Sequence, residues 1–295
     1  MTQKRILLLD TSSILHAVKH SGIKHLRNKD KPTYILFGFL MKLQQLMAQT
    51  RSDVTVFACD SNPEDSIRKK IYPAYKEKRN NKERTQKEID LDALAYPQFD
   101  AVVNDMLPEI GYNNIFKTNG LEADDIIGRI CKTYTNCEII IVTTDKDMYQ
   151  LLTNMVCIMN PKTMQYYTKA KFKKQYGIIP KMWKRVKAIG GCSSDEVKGV
   201  EGVAETTALK YIKGTLPSHY KTFQRIRSKE GKRIINRNKA LVILPFRRTP
   251  NYEIVEDRIS KIRLHNIAKK YGFMSIITDI ERWTTILKGW GNGLL

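Results

Sequence analysis

Ile139-Ile140-Ile141-Val142-Thr143-Thr144-Asp145-Lys146-Asp147 is an apolar, β-branched run that stops on two carboxylates. Consecutive apolar residues suit a strand buried on both faces, as parallel sheets require. The same arrangement recurs in Ile6-Leu7-Leu8-Leu9-Asp10 and in Val54-Thr55-Val56-Phe57-Ala58-Cys59-Asp60. Glu122-Ala123-Asp124-Asp125-Ile126-Ile127-Gly128-Arg129-Ile130 inverts it: acids come first and helical apolar spacing follows. In a parallel α/β sheet the carboxyl ends of the strands share one edge, where ligands bind. Asp10, Asp60, Glu122, Asp124, Asp125, Asp145 and Asp147 can therefore meet, although they spread over more than a hundred residues. Crowded carboxylates repel one another and lose hydration. A hard divalent cation with oxygen ligands is the usual remedy.

Around these runs the pattern alternates. Residues 4–9, 54–59, 114–118 and 138–143 read as buried strands, with helical spacing near 33–50, 88–110 and 122–135. Alternation of this kind predicts βαβ units with right-handed crossovers. Val156-Cys157-Ile158-Met159 and residues 164–168 add short extended pieces. Residues 61–90 break the rhythm with nine Lys/Arg, six acids and the interleaved Tyr72 and Tyr75. Pro73 and Asn80-Asn81 interrupt any long helix there. The segment reads as an excursion off the sheet, and tyrosine among cations suits bases and phosphates.

The chain has 295 residues, 42% of them hydrophobic, enough for one large domain or two ordinary ones. No apolar run reaches the roughly 18–20 residues of a membrane span. The N-terminus lacks a signal-peptide layout, so a cytoplasmic protein without membrane partners is expected, in a host cytoplasm if phage-encoded. The five cysteines show no CxxC spacing and read as free thiols. Net charge is +21, yet residues 1–160 carry 22 Lys/Arg against 20 acids, whereas residues 161–250 carry 22 against 5. A block so basic predicts a polyanionic partner, with nucleic acid the first choice and a merely solubilising surface the bland alternative. Within it, Gly199-Val200-Glu201-Gly202-Val203 links two helical segments. Its glycines leave backbone N–H groups bare for a phosphate, with Lys198, Lys210 and Lys213 around them. Such a hairpin grips a backbone without reading sequence.

The acids suit two-metal phosphodiester hydrolysis, in which two cations about 3.5–4 Å apart activate water and stabilise the attacking and leaving oxygens. Each acid also has a plainer reading. Asp10, Asp145 or Asp147 can cap a helix, and Glu122, Asp124 and Asp125 can complement a helix dipole.

Leu9-Asp10, Ala58-Cys59-Asp60, Tyr75-Lys76-Glu77-Lys78-Arg79, Leu121-Glu122-Ala123-Asp124-Asp125, Thr144-Asp145-Lys146-Asp147 and Lys198-Gly199-Val200-Glu201-Gly202-Val203 together resemble the 5′-nuclease (flap endonuclease) superfamily, over roughly residues 5–245. The resemblance extends to bacteriophage exonucleases and to the 5′-nuclease domain of bacterial DNA polymerase I. It implies an α/β fold: a mainly parallel sheet flanked by helices, a PIN-like core with a helical arch and a helix-hairpin-helix C-terminal region. Residues 1–160 would form the core, including an arch at 61–90; 161–250 would form the basic DNA-binding region and 251–295 a C-terminal extension. It implies one metal site at Asp10, Asp60, Glu122 and Asp124, and another at Asp125, Asp145, Asp147 and Asp195. Two Mg²⁺ ions are implied, with Mn²⁺ as a substitute and K⁺ at the hairpin. Lys76 and Arg79 match catalytic arch cations at the scissile phosphate, and Arg68 matches a further basic arch position. His16 stands where kin carry a stacking aromatic, and its charge near pH 6.5 would make binding pH-dependent.

Two departures stand out. Cys192 replaces an acid that kin carry three residues before Asp195. A thiolate suits softer ions than Mg²⁺, so a weaker second cation, or compensation by Glu196, is expected. Ala204 replaces a third hairpin glycine. The resulting expectation is a monomeric, divalent-metal-dependent 5′ nuclease acting on DNA flaps, free 5′ ends and duplex, and on RNA–DNA hybrids during primer removal in phage replication. The alternatives are a nuclease-deficient DNA-binding protein of the same fold and a PIN-type ribonuclease.

Overall fold

A computed structural model describes residues 3–20, 26–77 and 84–290; Arg79 lies outside them. Its sheet runs β1 (Arg5–Asp10), β2 (Val54–Cys59), β3 (Ile115–Lys117), β4 (Glu138–Val142), β5 (Val156–Met159) and β6 (Tyr166–Tyr167) along the chain. In space the order is β3-β2-β1-β4-β5-β6, parallel except for the last pair. The chain thus winds outward from β1 one way and from β4 the other. The switch point between β1 and β4 is where doubly wound sheets leave a crevice for ligands.

Alternation within each strand feeds two cores. Leu7 and Leu9 of β1, Phe57 of β2, and Ile140 and Val142 of β4 face one side. Ile6, Leu8, Val56, Ala58, Ile139 and Ile141 face the other. All four apolar residues of β1 are fully buried, each contributing about 1.5–3 kcal/mol of transfer free energy. The first side is covered by α1 (Thr11–Lys19), α2 (Tyr34–Thr50) and the helical stretch after α4 (Gln86–Ala101). The other side is covered by α5 (Ala123–Thr133), α7 (Trp183–Gly190) and the region beyond it, with α6 (Lys169–Tyr176) alongside.

Strand-to-helix transitions are abrupt. β1 ends at Asp10 and α1 begins at Thr11, with Asp10 Oδ1 accepting from Ser13 N at 3.0 Å. The helix-cap reading of Asp10 is therefore met, and it does not compete with a place at the sheet edge. Asp145 likewise caps the turn Lys146–Leu151.

Residues 61–77 do not leave the body of the protein as the sequence suggests. After α3 (Ile67–Ile71), a turn at residues 73–76 folds back, and Arg68 and Tyr75 are each 2% exposed. Tyr75 shares a small cluster with Ala188, Cys192, Val197 and, from α10 (Lys229–Val242), Leu241 and Val242. The last described elements also join the main core. Leu264 and Ile267 of α11 (Lys261–Tyr271) and Trp283 and Leu287 of α12 (Ile280–Leu287) pack in the cluster that holds α2.

Candidate active site

The carboxyl edge brings most of the expected acids together, in two electrostatic states. Asp10 Oδ2 accepts from Thr143 Oγ1 at 3.2 Å, and Thr143 Oγ1 in turn accepts from Asp145 N at 3.1 Å. Burial and the charges of Asp60 and Asp145 push Asp10 up to about 7. Asp124 is raised well above the ordinary carboxylate range by burial, Asp145 and Asp10. Asp145 is raised by burial, Asp147 and Asp195. Burial and repulsion outweigh the Lys76 charge near Asp124 and the Lys187 charge near Asp145. Asp60 is exposed, and its Oδ1 accepts from Ala123 N at 2.9 Å, tying the end of β2 to the first turn of α5.

The remaining acids already have cations. Glu122 accepts from Lys76 Nζ at 2.7 Å and from Tyr75 Oη at 2.9 Å. Burial alone would raise Glu122, but Lys76 and Arg68 outweigh it and lower its pKa. Asp147 sits 3.0 Å from Lys187 Nζ. Burial pulls Lys187 down, yet Asp147 and its neighbours raise it overall, so the ammonium is firmly charged.

Asp125 departs from its expected place as a metal ligand. It is fully buried and receives both guanidinium arms of Arg68, at 2.5 and 2.8 Å, together with Phe246 N at 2.7 Å. Arg68 departs from its expected DNA-facing place for the same reason, and its Nε donates to the Leu241 carbonyl at 2.8 Å. A buried charge of this kind requires a partner, and these two supply each other. Tyr75 points inward to Glu122 and offers no free ring. Tyr72 is half-buried, with the Arg237 guanidinium 4.5 Å over its ring.

Lys76 lies at the mouth of the site. Its φ is +54°, uncommon for a residue with a Cβ, and its N–H donates to the Asp195 carbonyl at 3.0 Å. Its Nζ is 3.7 Å from Asp195 Oδ1. Burial lowers Lys76, but Glu122, Asp195 and Asp124 raise it overall. Strained backbone of this sort clusters at functional sites.

Asp147, Cys192 and Asp195 present donor atoms within 4.8 Å of one another. Cys192 Sγ lies 3.5 Å from Asp147 Oδ2 and 3.4 Å from Asp195 Oδ2. Burial and those carboxylates push its thiol up to about 12, so the group stands protonated between the two acids. Glu196 adopts φ +60° at the end of the turn carrying Asp195. Beside Asp145 a cavity of about 330 Å³ opens, walled by Thr143, Tyr149, Asn160 and Tyr167.

The hairpin expected to bind duplex is partly explained by packing. Gly199 is tight against Gly190: a Cβ there would overlap the Gly190 carbonyl. Gly202 is exposed with φ +72°, which favours glycine, and leads into α8 (Glu205–Lys213). Lys198, Lys210 and Lys213 are exposed around it. His16 is exposed on α1, edge-on to Phe99 at 5.2 Å and Tyr96 at 6.4 Å. Partial desolvation, with the Lys19 and His20 charges, lowers its pKa below the ordinary histidine value.

Two site residues escaped the sequence reading. Thr143 passed as the end of a strand. Lys187 passed as one more cation in a basic run, although it stands four residues after the apolar Trp183 and so shares its buried face.

Comparison with known proteins follows the same lines. A family model described as 5′-3′ exonuclease, N-terminal resolvase-like domain, matches residues 5–177. The 5′-3′ exonuclease of Bacillus subtilis (strain 168) is 30% identical over 235 residues, covering 77% of this chain and 74% of that protein. The 5′-3′ exonuclease of Buchnera aphidicola subsp. Schizaphis graminum is 27% identical over 275 residues, covering 92% and 84%. A bacteriophage T5 flap endonuclease, solved as a pseudo-enzyme-product complex with DNA and metal ions, superposes with a TM-score of 0.69 at 20% identity. That alignment covers 96% of this chain and 100% of the other, a likeness of fold. With the family model spanning more than half of its length, this chain belongs to the 5′-3′ exonuclease family.

Proposed function

We propose that the chain is a divalent-metal-dependent, structure-specific 5′ nuclease that hydrolyses DNA phosphodiester bonds near free 5′ ends, as an exonuclease and on flaps. The observation that carries this reading is the set Asp10, Asp124 and Asp145, each held above its ordinary pKa by burial and by neighbouring carboxylates. Oxygen donors short of positive charge fit Mg²⁺ or Mn²⁺. Asp10, Asp60 and Asp124, with Glu122 behind them, would hold one ion; Asp145, Asp147 and Asp195 would face the other, beside Cys192. When bound, two such ions activate water and stabilise the attacking and leaving oxygens.

The chain's own residues supply the remainder. Lys76 is held by Glu122 at the mouth, a fixed cation for charge developing on the phosphate. Lys198, Gly202, Lys210 and Lys213 would hold the duplex backbone, and the His16 ring with Phe99 behind it would meet a base next to the cut. Residues 78–83, including Arg79, belong to the segment that would meet the 5′ strand. Trimming of phage replication intermediates and removal of RNA primers, by a monomer in the host cytoplasm, complete the reading. Among the described residues no helix is long and apolar enough to cross a membrane.

The test is cleavage of a labelled 5′-flap duplex in Mg²⁺, in Mn²⁺ and in EDTA. Cleavage near the flap junction is expected with either ion and none in EDTA; cation-independent cleavage overturns the reading. Asp145→Asn and Lys76→Ala should each lower turnover at saturating DNA by about 10²-fold or more, with little change in Kd. Unchanged turnover in either variant removes that residue from the mechanism.

A further inference from the structure

On the side of α10 away from Tyr72 lies a second feature that the nuclease reading does not use. Residues two apart on a helix point about 200° apart, so Arg237, which covers Tyr72, is turned away from Ile235 and Lys239. The same holds on α7 for Lys187, which meets Asp147, and Arg185. Between these outward faces of α7 and α10, and against α9 (Lys221–Arg227), a recess of about 350 Å³ opens. Its floor is apolar, formed by Ile189, Ile226, Ile235 and the Tyr211 ring. Its rim carries Arg185, Arg227, Lys232 and Lys239, all exposed. None of the four forms an ion pair with a carboxylate among the described residues. Arg227 lies over the Phe223 ring, and Lys239 donates to the Asn236 side chain.

We propose that this recess docks an acidic segment of a partner protein, which inserts one large apolar side chain between the four cations. The volume suits a leucine or phenylalanine side chain with its neighbouring backbone. An apolar centre with a charged rim is the layout of a protein–protein contact, and Arg/Lys clusters are a standard means of reading acidic motifs. A nucleic-acid backbone fits less well. Phosphates seek cations and backbone N–H groups and gain nothing from an isoleucine floor. Lys187 and Tyr72 do not line the recess, although Ala188 and Ile235 of its lining also pack with the cluster of Tyr75 and Cys192.

The experiment is fluorescence anisotropy on the full chain with a labelled acetyl-Asp-Glu-Asp-Leu-Phe peptide at low salt. A hexa-aspartate peptide is the charge-only control, and an unlabelled blunt duplex is the competitor. The peptide should bind at least about tenfold tighter than hexa-aspartate and weaken as salt rises. Lys232→Glu with Lys239→Glu should weaken it at least about tenfold, and Arg185→Glu alone should weaken it measurably. Thermal midpoints and turnover at saturating flap substrate should stay at wild-type values in both variants. Equal binding of the two peptides, or binding unchanged in both variants, overturns the proposal. Displacement of the peptide by duplex, together with weakened duplex binding in the variants, also overturns it and makes the recess part of the DNA surface.

Discussion

Asp10→Asn should stabilise the cation-free protein at alkaline pH, although it removes a residue at the centre of the site. Asp10 is raised from its ordinary 3.8 to about 7 by burial and by Asp60 and Asp145. Roughly three pKa units correspond to about 4 kcal/mol between the protonation states. The carboxylate is partly open to solvent and titrates together with its neighbours, so we halve this to about 2 kcal/mol. The sign follows from linkage. A carboxyl with a raised folded pKa binds its proton more tightly when folded. Its contribution is fully present below about pH 4 and is lost as pH climbs through about 7. Above that, ionised Asp10 opposes folding, and a neutral residue does not. Asparagine serves equally as an N-cap, so the bond from Ser13 N survives. Thermal unfolding followed by circular dichroism in EDTA should show Asp10→Asn about 3 °C above wild type at pH 8. The gap should close toward pH 4.5. Millimolar Mg²⁺ should raise the wild type more than the variant. A variant less stable than wild type at pH 8 without cations, or a gap that ignores pH, would refute the reasoning.

Two further predictions concern the frame of the site. Arg68→Met strands the fully buried Asp125 and should cost about 3–5 kcal/mol, with Arg68→Met/Asp125→Asn recovering part of it in urea unfolding. An Arg68→Met protein of wild-type stability with weakened DNA binding would instead return Arg68 to the DNA surface. Gly199→Ala should cost about 1–3 kcal/mol because its Cβ meets the Gly190 backbone, which cannot swing aside. Gly202→Ala, limited by its positive φ, should cost nearer 1 kcal/mol. Amide exchange across the hairpin would separate the two.

Much of the frame was legible in the sequence because its signals are local. β1, β2 and β4 are uninterrupted apolar runs ending on acids, and α2 and α5 carry helical spacing over three turns or more. What failed was non-local. Arg68 stands in a run of cations, and nothing beside it announces that its partner is Asp125, fifty-seven residues on. A local hint did exist. Glu122 and Asp125 are three apart at a helix start, the capping-box spacing, and both halves of that box are formed here. That spacing favours a structural place for Asp125 over a metal. The same limit hid the docking of α11 and α12. No local pattern says which surface a helix in that extension covers.

That docking has a consequence for synthesis. Leu46 and Met47 of α2 share a core with Trp283 and Leu287, more than two hundred residues downstream. A ribosome delivers residues in order, so α2 waits through most of translation with that face uncovered. Contacts this distant in sequence form slowly, and exposed apolar surface favours aggregation in the interval. Yield of active protein should therefore respond to chaperone supply and translation speed more than the local order of its first sixty residues suggests. Cutting the gene before residue 261 would strip from α2 the cover that Trp283 and Leu287 provide.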